Sequence, residues 1–312
     1  MLQKIKDFFR EMLFSSSGTA LLVFLTMIFI ALFNILNSTL LFSNNAWMIP
    51  MLAIAFLVPF FIFRASRGGK EYIPTLHLSL PKKYHIPTII FSTLLLILGS
   101  TLLKLWFVGG KYVEFPLYNA FYAHRNGNLF NDIYLILVFC VIPPMLEGLI
   151  FRGTIVNEHD RRGRMTTTVF SSFMFAILGF DFEMLAPRFF LGIVLCVVLY
   201  ATDSIATSVA IHIAYSFFAV FFEPALISVK NVSSNVELFS LIITISTITV
   251  AIFLFSHLSR LYRKYSHDKF GENFIRSTPR ERTFWHLVEL LTSIPSIACY
   301  VLFVIVTLLV NR

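Results

Sequence analysis

The chain is poor in charge. Only 13% of its 312 residues are Asp, Glu, Lys or Arg, against about 25% in an ordinary soluble domain. No long polar stretch is present to fold as a separate water-soluble domain. Cysteine is scarce too: Cys140, Cys196 and Cys299 each lie inside an apolar run, with neither metal-ligand spacing nor a disulfide pattern. They read as small buried hydrophobes. No cleavable signal peptide is evident.

What fills the composition is apolar: 57% hydrophobic and 16% aromatic residues, with a mean hydropathy of +0.79. That excess needs lipid as its solvent. A crossing helix takes about 20 mostly apolar residues. The runs that meet this are 18–40, 46–63, 86–109, 131–152, 166–182, 187–202, 205–223, 237–256 and 286–310. The fifth and sixth are short and closely linked, so the expected fold is an all-α polytopic membrane bundle of eight or nine transmembrane helices. Segment 1–17, MLQKIKDFFREMLFSSS, reads as a basic amphipathic stretch lying on the membrane surface. The 36 phenylalanines read as packing and lipid contact.

The formal charge of +8 and pI near 9.5 raise the question of nucleic acid, and their distribution answers it. With nine spans and a cytoplasmic N-terminus, 19 of the 25 Lys and Arg residues fall on one side. That is the positive-inside pattern, so nucleic-acid binding is not expected and the N-terminus is placed in the cytoplasm. The largest segment on that side, the basic loop 257–285, is suited to anionic headgroups.

Ionisable groups within spans are costly and mark function by default. Glu147 in PPMLEGLIFRG and His212 in IATSVAIHIAYSFF pass that filter. Both fall in the half of the bilayer facing the cytoplasm. At 3.6 residues per turn, Glu147 and Arg152 are roughly 140° apart, which lets the carboxylate face inward while the arginine turns away or snorkels. His212 and Ser216, four apart, share a face and are suited to holding an oxyanion or an interhelical hydrogen bond. Asp181, Glu183, Asp203 and Glu223 fall near span ends, where water can solvate them.

PPMLEGLIFRG resembles the first motif, EExxFRG, of the CPBP family: the type II CAAX prenyl endopeptidases and bacteriocin-processing or bacteriocin-immunity membrane proteins. SSFMFAILGF at 171–180 resembles the second motif, Phe-x-x-x-His. The segment 188–218 resembles the following span pair and ends in the third, His-x-x-x-Asn. The resemblance implies Glu147 as the water-activating carboxylate, His212 with Ser216 as the oxyanion-binding pair, and Arg152 and Phe175 as supporting residues. Three positions depart from the pattern: Gly148 replaces the second Glu, Gly179 the second-motif His, and Ser216 the Asn.

The resemblance therefore implies a metal-independent endopeptidase, without cofactor, that hydrolyses a peptide bond near the cytoplasmic face with weakened or lost catalysis. One His and one Glu are too few ligands for a catalytic zinc. The alternative is a non-catalytic member acting as a peptide-binding, bacteriocin-immunity or regulatory protein. A transporter gains little, because intramembrane ionisable groups are few and paired interrupted segments are not seen. The expected organisation is an amphipathic segment at 1–17, N-terminal spans at 18–130, a CPBP-like core at 131–223 and C-terminal spans at 224–312. The expected partners are membrane lipid and a peptide or membrane-protein substrate or ligand, in a bacterial cell membrane.

Overall fold

The computed structural model describes residues 18–38, 45–66, 79–107, 115–159, 163–232, 236–270 and 280–310; the amphipathic segment expected at 1–17 lies outside them. The described residues form helices and connecting turns, with no strand. In chain order these are α1 (Gly18–Ser38), α2 (Met48–Ser66), α3 (Ile86–Phe107), α4 (Pro116–Ala123), α5 (Leu129–His159), α6 (Arg164–Ile177) and α7 (Leu185–Thr202). They continue as α8 (Ile205–Phe221), α9 (Glu223–Val232), α10 (Val236–Phe270), α11 (Arg280–Leu291) and α12 (Ile294–Val310). The all-α reading holds.

Among the described residues, six stretches are long and apolar enough to cross a membrane: Gly18–Ile35, Asn45–Ser66, Lys83–Trp106, Leu129–His159, Leu185–Thr202 and Glu237–Leu261. A seventh arises if α11 and α12, bent by 56° at their junction, form one crossing. α8, with 17 residues, is apolar but shorter. The run expected to span at 166–182 is the 14-residue α6, about 21 Å long against a hydrocarbon core of about 30 Å. The Gly179 region breaks it, as described below. These helices expose large apolar side chains, among them Ile252 and Phe255 of α10 and Leu308 of α12. Surfaces of that kind belong in lipid, and the chain is an integral membrane protein.

The basic loop expected at 257–285 is helical at both ends. α10 continues through Phe270 and α11 begins at Arg280. The polar run HLSRLYRKYSHDKF extends an apolar helix in place of ending it, because it holds no Gly or Pro to break the ladder.

The chain divides into two compact units. The first comprises Met1–Leu76, Leu149–Phe182 and Ser277–Arg312. In it α1 packs on α2 and α12, and α6 on α11 and α12. Thr307 of α12 donates to the Phe180 carbonyl at 3.0 Å. Thr19 of α1 meets the fully buried His159 at 2.7 Å.

The second unit comprises His77–Gly148 and Glu183–Arg276, and α3 is its hub, packing on α7, α8 and α10. Gly99 permits the α3–α7 approach: a Cβ there would sit 2.5 Å from the Phe190 ring. α7 and α8 form a tight hairpin. Asp203 ends α7 in the left-handed region at φ 53, and the Ser204 hydroxyl then caps α8 by accepting from the Thr207 N–H at 3.2 Å. α8 in turn packs on α4 and on the Leu137–Glu147 part of α5.

Candidate active site

Glu147 stands in an unusually wound helix. Within α5 the stretches Leu137–Val141 and Gly148–Ile155 are π-helical, and Ile142–Glu147 between them is α. The sequence accounts for the first. Pro143 and Pro144 lack N–H groups and cannot bond back one α turn, and the Ile142 N–H reaches the Leu137 carbonyl five residues back. In the second, the Thr154 hydroxyl donates to the Leu149 carbonyl, also five back, at 3.1 Å. Isolated π turns recur at functional sites. The 140° offset expected between Glu147 and Arg152 assumed 3.6 residues per turn, and the π winding from Gly148 onward removes that basis.

In the second unit, Glu147 and His212 converge. Glu147 Oε2 lies 3.7 Å from His212 Nε2, and both residues are buried, at 9% and 6% exposure. α8 brings the imidazole there by packing against Ile142–Glu147. At 3.7 Å the pair is within ion-pair range but too far for a direct hydrogen bond. Ser216, one turn beyond His212 and 3% exposed, lies on the same face of α8.

Gly148 has a steric reason of its own. A Cβ at this position would lie 2.6 Å from Val209 Cγ2 on α8. Val is stiff at χ1, so α8 approaches α5 here because the side chain is absent, as small residues allow in membrane helices. Gly148→Ala is expected to destabilise the protein by about 1–3 kcal/mol through overpacking. Val209→Ala in the same chain should restore most of that loss, which unfolding midpoints of the three variants in one detergent would check.

Arg152 and Phe175 meet in the first unit. The guanidinium carbon lies 4.6 Å from the Phe175 ring centroid and 5.9 Å from that of Phe151. The two rings are edge-on at 5.4 Å. Arg152 is 2% exposed, so of the two expectations, turning away or snorkelling to the interface, the second is corrected: two aromatic faces hold the cation inside. Ser171 on α6 fixes the same region by donating to the Phe151 carbonyl at 3.2 Å.

Gly179 lies outside any helix. α6 ends at Ile177, Gly179 donates to the Ala176 carbonyl at 3.3 Å, and Phe180 follows at φ 50. The position four after Phe175 therefore falls in a turn. Asp181 is partly exposed and Glu183 exposed, in keeping with solvation near a span end.

Glu223 departs from that expectation. It is 3% exposed and pairs with Lys104 on α3, Nζ to Oε1 at 2.5 Å. The signal in the sequence was Lys104 within LLKLWF, a cation flanked by apolar residues. No group of three or more His, Cys, Asp or Glu residues able to hold a metal occurs among the described residues.

No curated protein and no solved structure matches the chain significantly. Residues 129–218, which carry Glu147, Arg152, Phe175 and His212, match the family model described as Type II CAAX prenyl endopeptidase Rce1-like, in agreement with the CPBP resemblance of the motifs.

Proposed function

We propose that the protein is an intramembrane endopeptidase of the CAAX type whose hydrolytic rate is reduced relative to a site with the full motif set. The observation that carries this reading is the buried approach of Glu147 to His212 at 3.7 Å, inside the segment that matches the endopeptidase family. Glu147 acts as the general base that takes a proton from water. His212, with the Ser216 hydroxyl, faces the oxygen that becomes negative as the carbonyl is attacked. Donors aimed at that charge in a water-poor site contribute much of the rate in acyl transfer. A single missing acid–base partner, the imidazole replaced by Gly179, typically costs about 10²–10⁴ in rate.

The charge asymmetry of the sequence supports a cytoplasmic N-terminus and a site opening to the cytoplasm of a bacterial cell. The substrate is a peptide or membrane-protein segment that reaches the site from the bilayer. A second reading, a peptide-binding, immunity or regulatory protein without catalysis, is favoured by one specific observation. The second motif Glu is replaced by Gly148 at a contact that leaves no room for a side chain.

The test is cleavage of a fluorogenic peptide ending in a farnesylated CAAX sequence, and of its unprenylated counterpart, by the full chain in proteoliposomes. Turnover above empty liposomes that His212→Ala abolishes is the expected result. Binding of either peptide with no turnover overturns catalysis in favour of the second reading.

A further inference from the structure

The α3 helix carries a buried polar ridge that the Glu147–His212 site does not use. Thr88, Ser92, Leu96, Ser100 and Lys104 follow in four-residue steps that wind by about 40° each around the helix, and all five are 0–3% exposed. Its upper end meets α8 and the start of α9. At its near end His85, in the turn leading into α3, accepts at Nδ1 from the Lys82 N–H at 3.3 Å and meets the Thr207 hydroxyl at 3.0 Å. Further along, Ser100 pairs with the Tyr215 hydroxyl at 2.7 Å and Lys104 with Glu223 at 2.5 Å.

The upper half of the ridge is thus satisfied by protein, and the lower half is not. The hydroxyls of Thr88 and Ser92 are fully buried and have no hydrogen-bond partner among the described residues. Thr101, equally buried on the same helix, donates to the Ile97 carbonyl at 2.7 Å. That i−4 bond is the usual recourse of a hydroxyl inside a membrane helix, and neither Thr88 nor Ser92 takes it. Two buried hydroxyls one turn apart supply two of the two to four contacts that an internal water needs.

We propose that Thr88 and Ser92 bind ordered water against α3 inside the second unit. The depth is pertinent. α3 and α8 leave the His85–Thr207 contact in the same direction, toward Lys104 and Glu223. Ser92 lies about 11 Å along one helix and His212 about 8 Å along the other. The water therefore sits level with the imidazole. Its use as a source of hydrolytic water rests on the endopeptidase reading; its binding does not.

Water-edited solid-state NMR on the full chain, labelled at Thr and Ser and reconstituted in phosphatidylglycerol–phosphatidylethanolamine bilayers without substrate, tests the assignment. Magnetisation from water should build up at Thr88 and Ser92 several-fold faster than at Thr101. Build-up no faster than at Thr101 overturns the proposal. Thr88→Val gives a second readout of opposite sign for the two cases. Loss of a hydrated hydroxyl lowers the melting midpoint, whereas loss of a dry, unpartnered one leaves it level or raises it, which also overturns the proposal. Neither measurement requires turnover. A catalytically silent chain leaves the water site standing, and a dry ridge leaves the endopeptidase reading standing.

Discussion

Glu147→Gln is expected to lower peptide cleavage by about 10²–10⁴, the usual contribution of a positioned general base, with little change in peptide binding. The substitution is nearly isosteric, so it isolates the charge. The amide occupies the carboxylate's volume between α5 and α8 and can still hydrogen-bond, but it cannot take a proton from water. Position 147 is only 9% exposed, and bulk water does not substitute for a base there. The geometry also sets how His212→Ala should differ. His212 Nε2 stands 3.7 Å from the carboxylate, and on the proposed reading its loss removes both a neighbour of the Glu147 carboxylate and a donor to the developing oxyanion. Combining the two variants should therefore lower the rate by less than the product of the separate effects, because residues acting as one unit are not additive. Steady-state kcat and KM of the three variants on the same peptide check this. A Glu147→Gln chain with unchanged kcat ends the assignment of base.

Most of the fold was legible because lipid imposes a simple code. A run of about 20 apolar residues in a charge-poor chain has one stable solution, a helix with its backbone satisfied internally. The runs at 18–40, 46–63, 86–109, 131–152, 187–202 and 237–256 each correspond to a helix. The exceptions have local causes. The run 166–182 loses its last turn where Gly179 and the left-handed Phe180 interrupt α6. α10 overruns its apolar window because nothing in 257–270 stops it.

The site was legible as a list of residues but not as a geometry. Motif order pointed to Glu147 and His212, but they are 65 residues apart, and only the packing of α8 on α5 brings them within 3.7 Å. A 3.6-residue period cannot report π winding, so the direction of Arg152 was left open between turning away and snorkelling. The reason for Gly148 was likewise hidden, since it lies in the side chain of Val209. Glu223 was assigned to water because nothing in the sequence ties it to Lys104, 119 residues away.

That last pair carries the largest stability prediction. Lys104 and Glu223 are each about 3% exposed, the first near the end of α3 and the second at the start of α9, just beyond α8. Glu223→Ala leaves an ammonium in an apolar surrounding, and breaking one half of a buried pair typically costs about 3–5 kcal/mol. Lys104→Met is expected to cost a similar amount by stranding the buried carboxylate. The combined Lys104→Met, Glu223→Leu chain should lie close to wild type, because replacing both charges by apolar groups also removes the desolvation that their attraction had to offset. Unfolding free energies of the four chains in one detergent form a double-mutant cycle. A large favourable coupling, with the double variant more stable than either single one, is the expected outcome. Single variants that unfold with the wild type would mean that both charges already reach water, and the two helices would then need another fastening at that end.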